Sequence, residues 1–328
     1  MSRWQSYLNA DPSEWLLAED DPSVRYWALR TVLDLPEDSA EVREAQKAVM
    51  ASDPVAKILA SQSKDGRWGS EHAFKKYEST GWQVIFLADL GADGADERVR
   101  RGCERLLSDI QSTSGGFAYY ERRPSSAIHC MNGNVLRALL RLGYVDDERV
   151  QSALNWLVSA ITGQGDIRYY ASGTSGPGFA CAANLKQPCA WGAVKGLSAL
   201  AEVLPERRTP EMRTAIRVGV DFLLGRDLSV ADYPYTERVS STWFKFGFPL
   251  SYVSNVLEAL NVLAALGHGD DPRLRNAMEF VLSKQDDQGC WKVEYSLNGK
   301  MRADIEAKGQ PSKWVTLQAV QALKWTFG

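Results

Sequence analysis

Gln62-Ser63-Lys64-Asp65-Gly66-Arg67-Trp68, Gln111-Ser112-Thr113-Ser114-Gly115-Gly116-Phe117 and Gln285-Asp286-Asp287-Gln288-Gly289-Cys290-Trp291 share one pattern: glutamine, three residues, glycine, one residue, aromatic. Repetition at one spacing marks an internal repeat. A glycine one turn past a helix end permits the positive φ of a tight turn, and the aromatic then folds back over the hairpin. The glutamine amide can meanwhile reach exposed backbone groups at a neighbouring helix end. Turns of this kind staple one helical hairpin to the next. Ile161 to Gly165 to Ile167 keeps the spacing without the glutamine or aromatic, and Arg226 stands where a fifth copy would begin, with no glycine turn after it.

Helices flank these turns. Apolar residues recur at helical spacing in Val24-Trp27-Ala28-Thr31, Trp82-Ile85-Phe86-Asp89, Val135-Ala138-Leu139-Leu142, Val194-Leu197-Leu200, Val256-Ala259-Leu260-Leu263 and Val315-Ala319-Ala322-Leu323. Four are followed by an acidic or proline-bearing turn and a charged amphipathic helix: Asp96 to Asp109, Asp147 to Ser159, Pro210 to Leu224 and Asp271 to Ser283. Six apolar helices alternating with charged ones predict an all-α fold, a closed double ring or αα-barrel spanning 1–328 as one domain. The apolar helices line its inside, and faces such as Glu97-Arg98-Arg100-Arg101-Glu104 meet solvent. An open solenoid of the same hairpins is the alternative. No outer helix can follow Trp325, so the segment around Ala45 to Leu59 is expected to close the ring.

Composition narrows the function classes. The 328 residues are 45% hydrophobic, enough for a substantial core, and 38 basic and 41 acidic side chains leave a formal charge of −3 with no basic stripe for nucleic acid. The start Met1-Ser2-Arg3-Trp4-Gln5 lacks the apolar run of a secretory signal, and no stretch of 18 apolar residues occurs, so a cytoplasmic protein without a transmembrane segment is expected. Five cysteines form no CxxC pair and leave one over from full pairing, which predicts reduced thiols. The abundance of tryptophan and tyrosine suits a core or an apolar-ligand site.

The three turns resemble the QW repeats of the squalene cyclase and protein-prenyltransferase β-subunit superfamily. Asp21-Pro22-Ser23-Val24-Arg25-Tyr26-Trp27-Ala28-Leu29, Trp243-Phe244-Lys245-Phe246-Gly247-Phe248-Pro249-Leu250 and Pro311-Ser312-Lys313-Trp314-Val315-Thr316-Leu317 are more closely similar to bacterial prenyltransferase-like proteins. The resemblance covers nearly the whole chain. It implies an αα-barrel and a terpenoid-type or prenyl-group enzyme acting on an apolar isoprenoid in the barrel cavity. A non-catalytic apolar-ligand-binding or protein-interaction scaffold is the alternative, and a polysaccharide-acting αα-barrel a third reading.

Inner-helix N-termini bring unpaired N–H groups to one rim, where the cavity is expected to open. Tyr77, Trp82, Trp191, Lys195, Phe248, Tyr252, Asn255, Lys313 and Trp314 are the substrate-binding candidates there. Acid-initiated cyclisation needs a protonated carboxylic acid. The cyclases' Asp-x-Asp-Asp element is missing, which leaves Asp89 and Glu258, on apolar helices, as candidate lone acids. Aspartate-rich magnesium signatures are missing as well. Thiolate and imidazole together suit zinc. Cys130 and Cys189 open the third and fourth inner helices, so His129, Cys130, Cys181 and Cys189 form the candidate metal set, although the prenyltransferases' Asp-x-Cys is replaced by Ile128-His129-Cys130. A reactive centre, if present, is expected at these two helix ends, shielded by long segments from Tyr169 to Pro188 and Arg226 to Pro249.

Overall fold

The computed structural model describes residues 3–119, 126–165, 177–230 and 240–328. The expected positions Ile167, Tyr169 and most of the Arg226 to Pro249 segment's first half lie outside the described residues. After a short α1 (Ser13–Leu17), the chain runs as hairpins: α2 (Pro22–Thr31) with α3 (Ala40–Ala51) and α4 (Asp53–Ala60), α5 (Thr80–Asp89) with α6 (Glu97–Ile110), and α7 (His129–Arg141) with α8 (Glu148–Thr162). Then follow α9 (Ala190–Ala201) with α10 (Pro210–Leu224), α11 (Val256–Ala265) with α12 (Arg275–Leu282), and finally α13 (Lys313–Phe327). Strand is confined, among the described residues, to one two-residue antiparallel pair, Trp291–Lys292 with Pro311–Ser312.

The inner ring is α2, α5, α7, α9, α11 and α13; α5 packs on α7, α7 on α9, α9 on α11, α11 on α13 and α13 on α2. Every residue of α5 is buried, whereas α6 buries only the stripe Val99, Gly102, Cys103, Leu106, Leu107 and Ile110. That contrast separates an inner helix, covered on all sides, from an outer one with a solvent face. Side chains fix the helix starts: Asp96 and Asp147 accept the backbone N–H of Arg98 and Arg149, and Ser312 Oγ accepts that of Val315. The ring closes between α2 and α13, where Gln321 Nε2 donates to Thr31 Oγ1 at 2.6 Å and Lys324 Nζ to the Val32 carbonyl at 2.9 Å. Across the other side of α2, Trp27 Nε1 donates to the Asp89 carbonyl of α5 at 2.9 Å. The fold is therefore an αα-barrel, not an open solenoid.

The repeated turns act as the sequence predicts, with a specific chemistry. Trp68 and Trp291 each donate their indole N–H, at 2.7 Å, to a carbonyl ten residues back on the preceding outer helix, Ile58 and Val281. The backbone N–H of each turn aromatic is received by a side chain opening the following inner helix: Thr80 for Trp68, Asn132 for Phe117 and Thr316 for Trp291. Gln62 Nε2 reaches the Arg98 carbonyl in α6 at 2.9 Å. The junction lacking the glycine turn is not empty: Trp243, fully buried, donates its indole N–H to the Leu228 carbonyl at 2.8 Å.

The expectation for ring closure is corrected. The segment around Ala45 to Leu59 belongs to α3 and α4, the outer layer of the first hairpin, where α3 packs on α2 and α4 on α3 and α5. The position outside α13 is taken instead by the 3-10 turn Arg3–Tyr7, with Tyr7 stacked on Phe327 at 4.2 Å. The last repeat turn grips this segment: Gln285 Oε1 accepts from Asn9 N at 2.8 Å, and Asn9 Nδ2 donates to the Asp286 carbonyl at 3.0 Å. Gly289, at φ +74°, passes so near that a Cβ there would stand 1.9 Å from the Ala10 carbonyl oxygen. No helix among the described residues is long and apolar enough to cross a membrane.

Candidate functional site

The barrel encloses a cavity of about 180 Å³. Its closed end is formed by Phe248 stacked face to face on Trp314, centroids 3.7 Å apart, and by Leu250. The wall then follows one face of α13 through Leu317, Gln318 and Gln321 to Trp325, and one face of α11 through Glu258, Asn261, Val262 and Ala265. Exposure rises along this path from Trp314 at 3% to Trp325 at 40%, so the cavity opens where the inner helices end. This reverses the expected direction. The segment 246–252 plugs the other mouth, held by Asn134 Nδ2 on the Ser251 carbonyl at 2.9 Å and by Tyr77 OH on Ser251 Oγ at 3.2 Å.

Opposite the apolar surface of Val262, Ala265 and Leu317 stands a charged wall. Arg137 Nη2 lies 2.7 Å from Asp89 Oδ1 and Arg141 Nη1 lies 3.5 Å from it, while Arg141 Nη2 pairs with Glu202 at 2.6 Å. The Arg141 guanidinium also covers the Trp27 ring at 4.8 Å. Lys195 is fully buried and places Nζ 2.6 Å from Glu258 Oε1. Burial pushes the lysine's pKa down, and the Glu258 charge opposes that shift. Asp89 and Glu258 were expected as lone acids, and the geometry gives each a cation instead. The three cations and three carboxylates of this wall neutralise one another, which leaves hydrogen bonding as its main offering. Glu258 Oε2, Asn261 Oδ1 and Trp314 Nε1 are buried at the cavity without a hydrogen-bond partner among the described residues.

The remaining candidates divide. Phe248 and Trp314 reach the cavity. Tyr77 and Trp82, with Tyr252 of the plug itself, line a rim pocket of about 490 Å³ with Lys75, Lys76 and Lys300, where Trp82 meets Tyr252 at 4.8 Å and Tyr77 at 5.1 Å. Trp191 packs half-buried against the core and lines neither space. Lys195 stands behind Glu258 and is itself no part of the cavity lining. Asn255 is a helix cap: its Oδ1 accepts from Glu258 N at 2.9 Å and its Nδ2 donates to the Lys245 carbonyl at 3.2 Å. Lys313 turns away to Asp20 and the Trp15 ring, which explains its burial without a ligand.

The metal set does not assemble as expected. His129 is fully buried between the rings of Trp156 and Phe179, its centroid 5.9 and 5.4 Å from theirs, and hydrogen-bonds the Ala160 carbonyl of α8. Burial pushes its pKa down to about 4. Its ring thus faces the outer helix, not the thiols. Cys181 and Cys189 do meet, with their thiols hydrogen-bonded, and Cys130 lies near enough to feel both electrostatically. No group of three or more His, Cys, Asp or Glu side chains among the described residues is arranged to hold a metal.

Sequence reading passed over Arg137, Arg141, Asn261, Gln318 and Gln321. The available signal was their spacing: polar residues one turn apart on otherwise apolar helices must face either a partner or a cavity.

No family model matches the chain, and neither does any curated protein. Among solved structures, it is similar to an unsaturated glucuronyl hydrolase specific for heparin, at 14% identity and a TM-score of 0.50, covering 97% of this chain and 86% of that one. It is also similar to the type II terpene cyclase MstE from Scytonema, at 17% identity and a TM-score of 0.44, covering 92% and 87%. A polysaccharide lyase gives 12% identity and a TM-score of 0.46, covering 93% and 89%. The likeness to the hydrolase is one of fold, the α/α toroid.

Proposed function

We propose that this chain is a ligand-binding αα-barrel whose central cavity takes a short oxygenated isoprenoid. The observation that carries this is the amphipathic closed end of the cavity. Val262, Leu317, Phe248 and the Trp314 ring offer hydrocarbon surface, and the lining residues Glu258, Asn261 and Trp314 carry two buried acceptors, Oε2 and Oδ1, and a buried donor, Nε1, without a hydrogen-bond partner among the described residues. A pure hydrocarbon would leave those three buried atoms unsatisfied, at about 1–3 kcal/mol each. A hydroxyl can satisfy both an acceptor and a donor among them.

Size restricts the class further. A cavity of about 180 Å³ is close to the roughly 150 Å³ that admits benzene and below the roughly 300–1,000 Å³ of pockets for larger ligands. Squalene and geranylgeranyl chains exceed it. The isoprenoid class implied by the QW-like turns fits this cavity as a bound ligand, which is the apolar-ligand-binding alternative among the sequence's readings. Asp89 and Glu258 are engaged by Arg137 and Lys195, so neither is set up to hand a proton to an alkene.

Native mass spectrometry with geraniol, farnesol, geranylgeraniol, squalene and glucuronic acid tests the reading. Saturable one-to-one binding of geraniol, weakened in the longer alcohols, is expected. Preference for glucuronic acid, or for squalene, would overturn it.

A further inference from the structure

A second site stands apart from the cavity, at the opposite end of the barrel. The chain from Phe179 to Cys189 folds back as a tight hairpin: Ala180 pairs with Pro188 in an antiparallel bridge, Cys181 N donates to the Gln187 carbonyl at 3.1 Å, and Cys189 N donates to the Phe179 carbonyl at 2.9 Å. In such a pairing, side chains two residues apart along each strand share a face, so Cys181 and Cys189 emerge on the same side. Their thiols meet in a hydrogen bond. Three residues of this short hairpin, Phe179, Leu185 and Lys186, hold positive φ values of 65°, 53° and 67° without being glycine. Conformations of that kind persist only where surrounding structure enforces them. Here they bring two cysteines together.

The two thiols differ in kind. Cys181 is partly exposed, and the Cys189 thiol and the backbone N–H groups of Ala183 and Asn184 stabilise its anion, drawing its pKa below the usual thiol range. Cys189 is 7% exposed, and the same contact together with burial pushes its pKa up. Cys130, on α7, is pushed up to about 12 by burial. Cys181 is thus the more acidic thiol of a neighbouring pair and Cys189 the less acidic.

We infer that Cys181 and Cys189 form a redox-active dithiol, with Cys181 attacking a hydroperoxide and Cys189 resolving the product to a disulfide. In the first step the Cys181 sulfur forms a bond to the outer peroxide oxygen, the O–O bond breaks, and the alcohol or water leaves with a proton. In the second the Cys189 sulfur attacks the Cys181 sulfenic acid, the S–OH bond breaks, and water leaves carrying the Cys189 proton. Two electrons pass from the thiol pair to the peroxide, and the disulfide is returned to dithiol by an external thiol.

Trypsin cuts after Lys186, between the two cysteines, so the bond is directly readable. The intact protein is treated with hydrogen peroxide, blocked with iodoacetamide and mapped without reduction. The expected product joins the Cys181 peptide to the Cys189 peptide. In Cys189→Ser, dimedone should trap a sulfenic acid on Cys181, and in Cys181→Ser labelling at Cys189 and Cys130 should stay at least about tenfold below that level. Iodoacetamide on the untreated folded protein provides a second measure, with Cys181 reacting first. A disulfide involving Cys130, dimedone on Cys130 in place of Cys181, or no linkage while the circular dichroism stays native would each overturn the inference.

Discussion

Glu258 meets Lys195 at 2.6 Å in the middle of the barrel, with the lysine fully buried and the carboxylate's second oxygen buried without a hydrogen-bond partner among the described residues. The pair neutralises a charge inside the ring and, in the proposed binding role, supplies an acceptor for the ligand's hydroxyl. Glu258→Ala removes both. It leaves the ammonium unpaired and should cost about 3–5 kcal/mol in urea unfolding. Adding Lys195→Met should recover most of that stability and none of the ligand binding. Binding retained in the double variant would show that Glu258 Oε2 does not touch the ligand.

Ring closure by the N-terminal segment predicts a contrast between two glycines with similar backbones. Gly289 and Gly143 hold φ of +74° and +87°, but a Cβ at Gly289 meets the Ala10 carbonyl at 1.9 Å, while one at Gly143 finds nothing within 4 Å. Both alanine variants carry the positive-φ strain, of about 1 kcal/mol. Only Gly289→Ala should also release the start of the chain, seen as faster amide exchange over residues 3–10. Equal exchange in the two variants would place the closure elsewhere.

The stapling turns predict a loss confined to one atom. Trp68→Phe keeps most of the ring's packing and removes the indole N–H that the Ile58 carbonyl accepts at 2.7 Å in a fully buried setting. A cost of about 1–3 kcal/mol is expected from denaturant unfolding, with unchanged helical circular dichroism. An effect within error of zero would mean that the turn aromatic acts by volume alone.

His129 gives the stability a pH dependence. Its folded pKa, near 4, lies below the unfolded value of about 6.5, so the unfolded chain takes up a proton first. Its contribution is complete above pH 6.5 and declines as pH falls to about 4, by about 3 kcal/mol in total. The difference in stability between the wild type and His129→Gln, measured from pH 7.5 to 4, should shrink over that window. A pH-independent difference would contradict the buried neutral imidazole.

Much of the fold was legible because its determinants are local. A glycine that must adopt positive φ, a tryptophan at fixed distance from a helix end and an aspartate before a helix each leave a mark at constant spacing. The inner helices were equally readable, since burial on all sides, as in α5, leaves nearly every position free of charge. What escaped was decided by tertiary contacts. Nothing around Arg3–Tyr7 announces that it covers α13, because Phe327, the partner of Tyr7, and Gln285, the partner of Asn9, lie almost the whole chain away. The direction of the cavity depended on Phe248 and Leu250 entering the barrel, which converted an expected mouth into a floor. Asp89 and Glu258 were found as inner-helix acids, but their partners, Arg137 and Lys195, sit on other helices. Cys181 and Cys189 were placed in one region by sequence, and only the hairpin with its positive-φ residues explains why they touch.

The cavity's role is tested most directly by titrating geraniol calorimetrically into the wild type and into Val262→Trp, a substitution at a buried lining position that reduces the space. The account predicts one-site binding to the wild type with a dissociation constant of about micromolar order, near 8 kcal/mol, and its loss in a variant that remains folded. Equal heats for the two proteins, or no binding to the wild type, would contradict it.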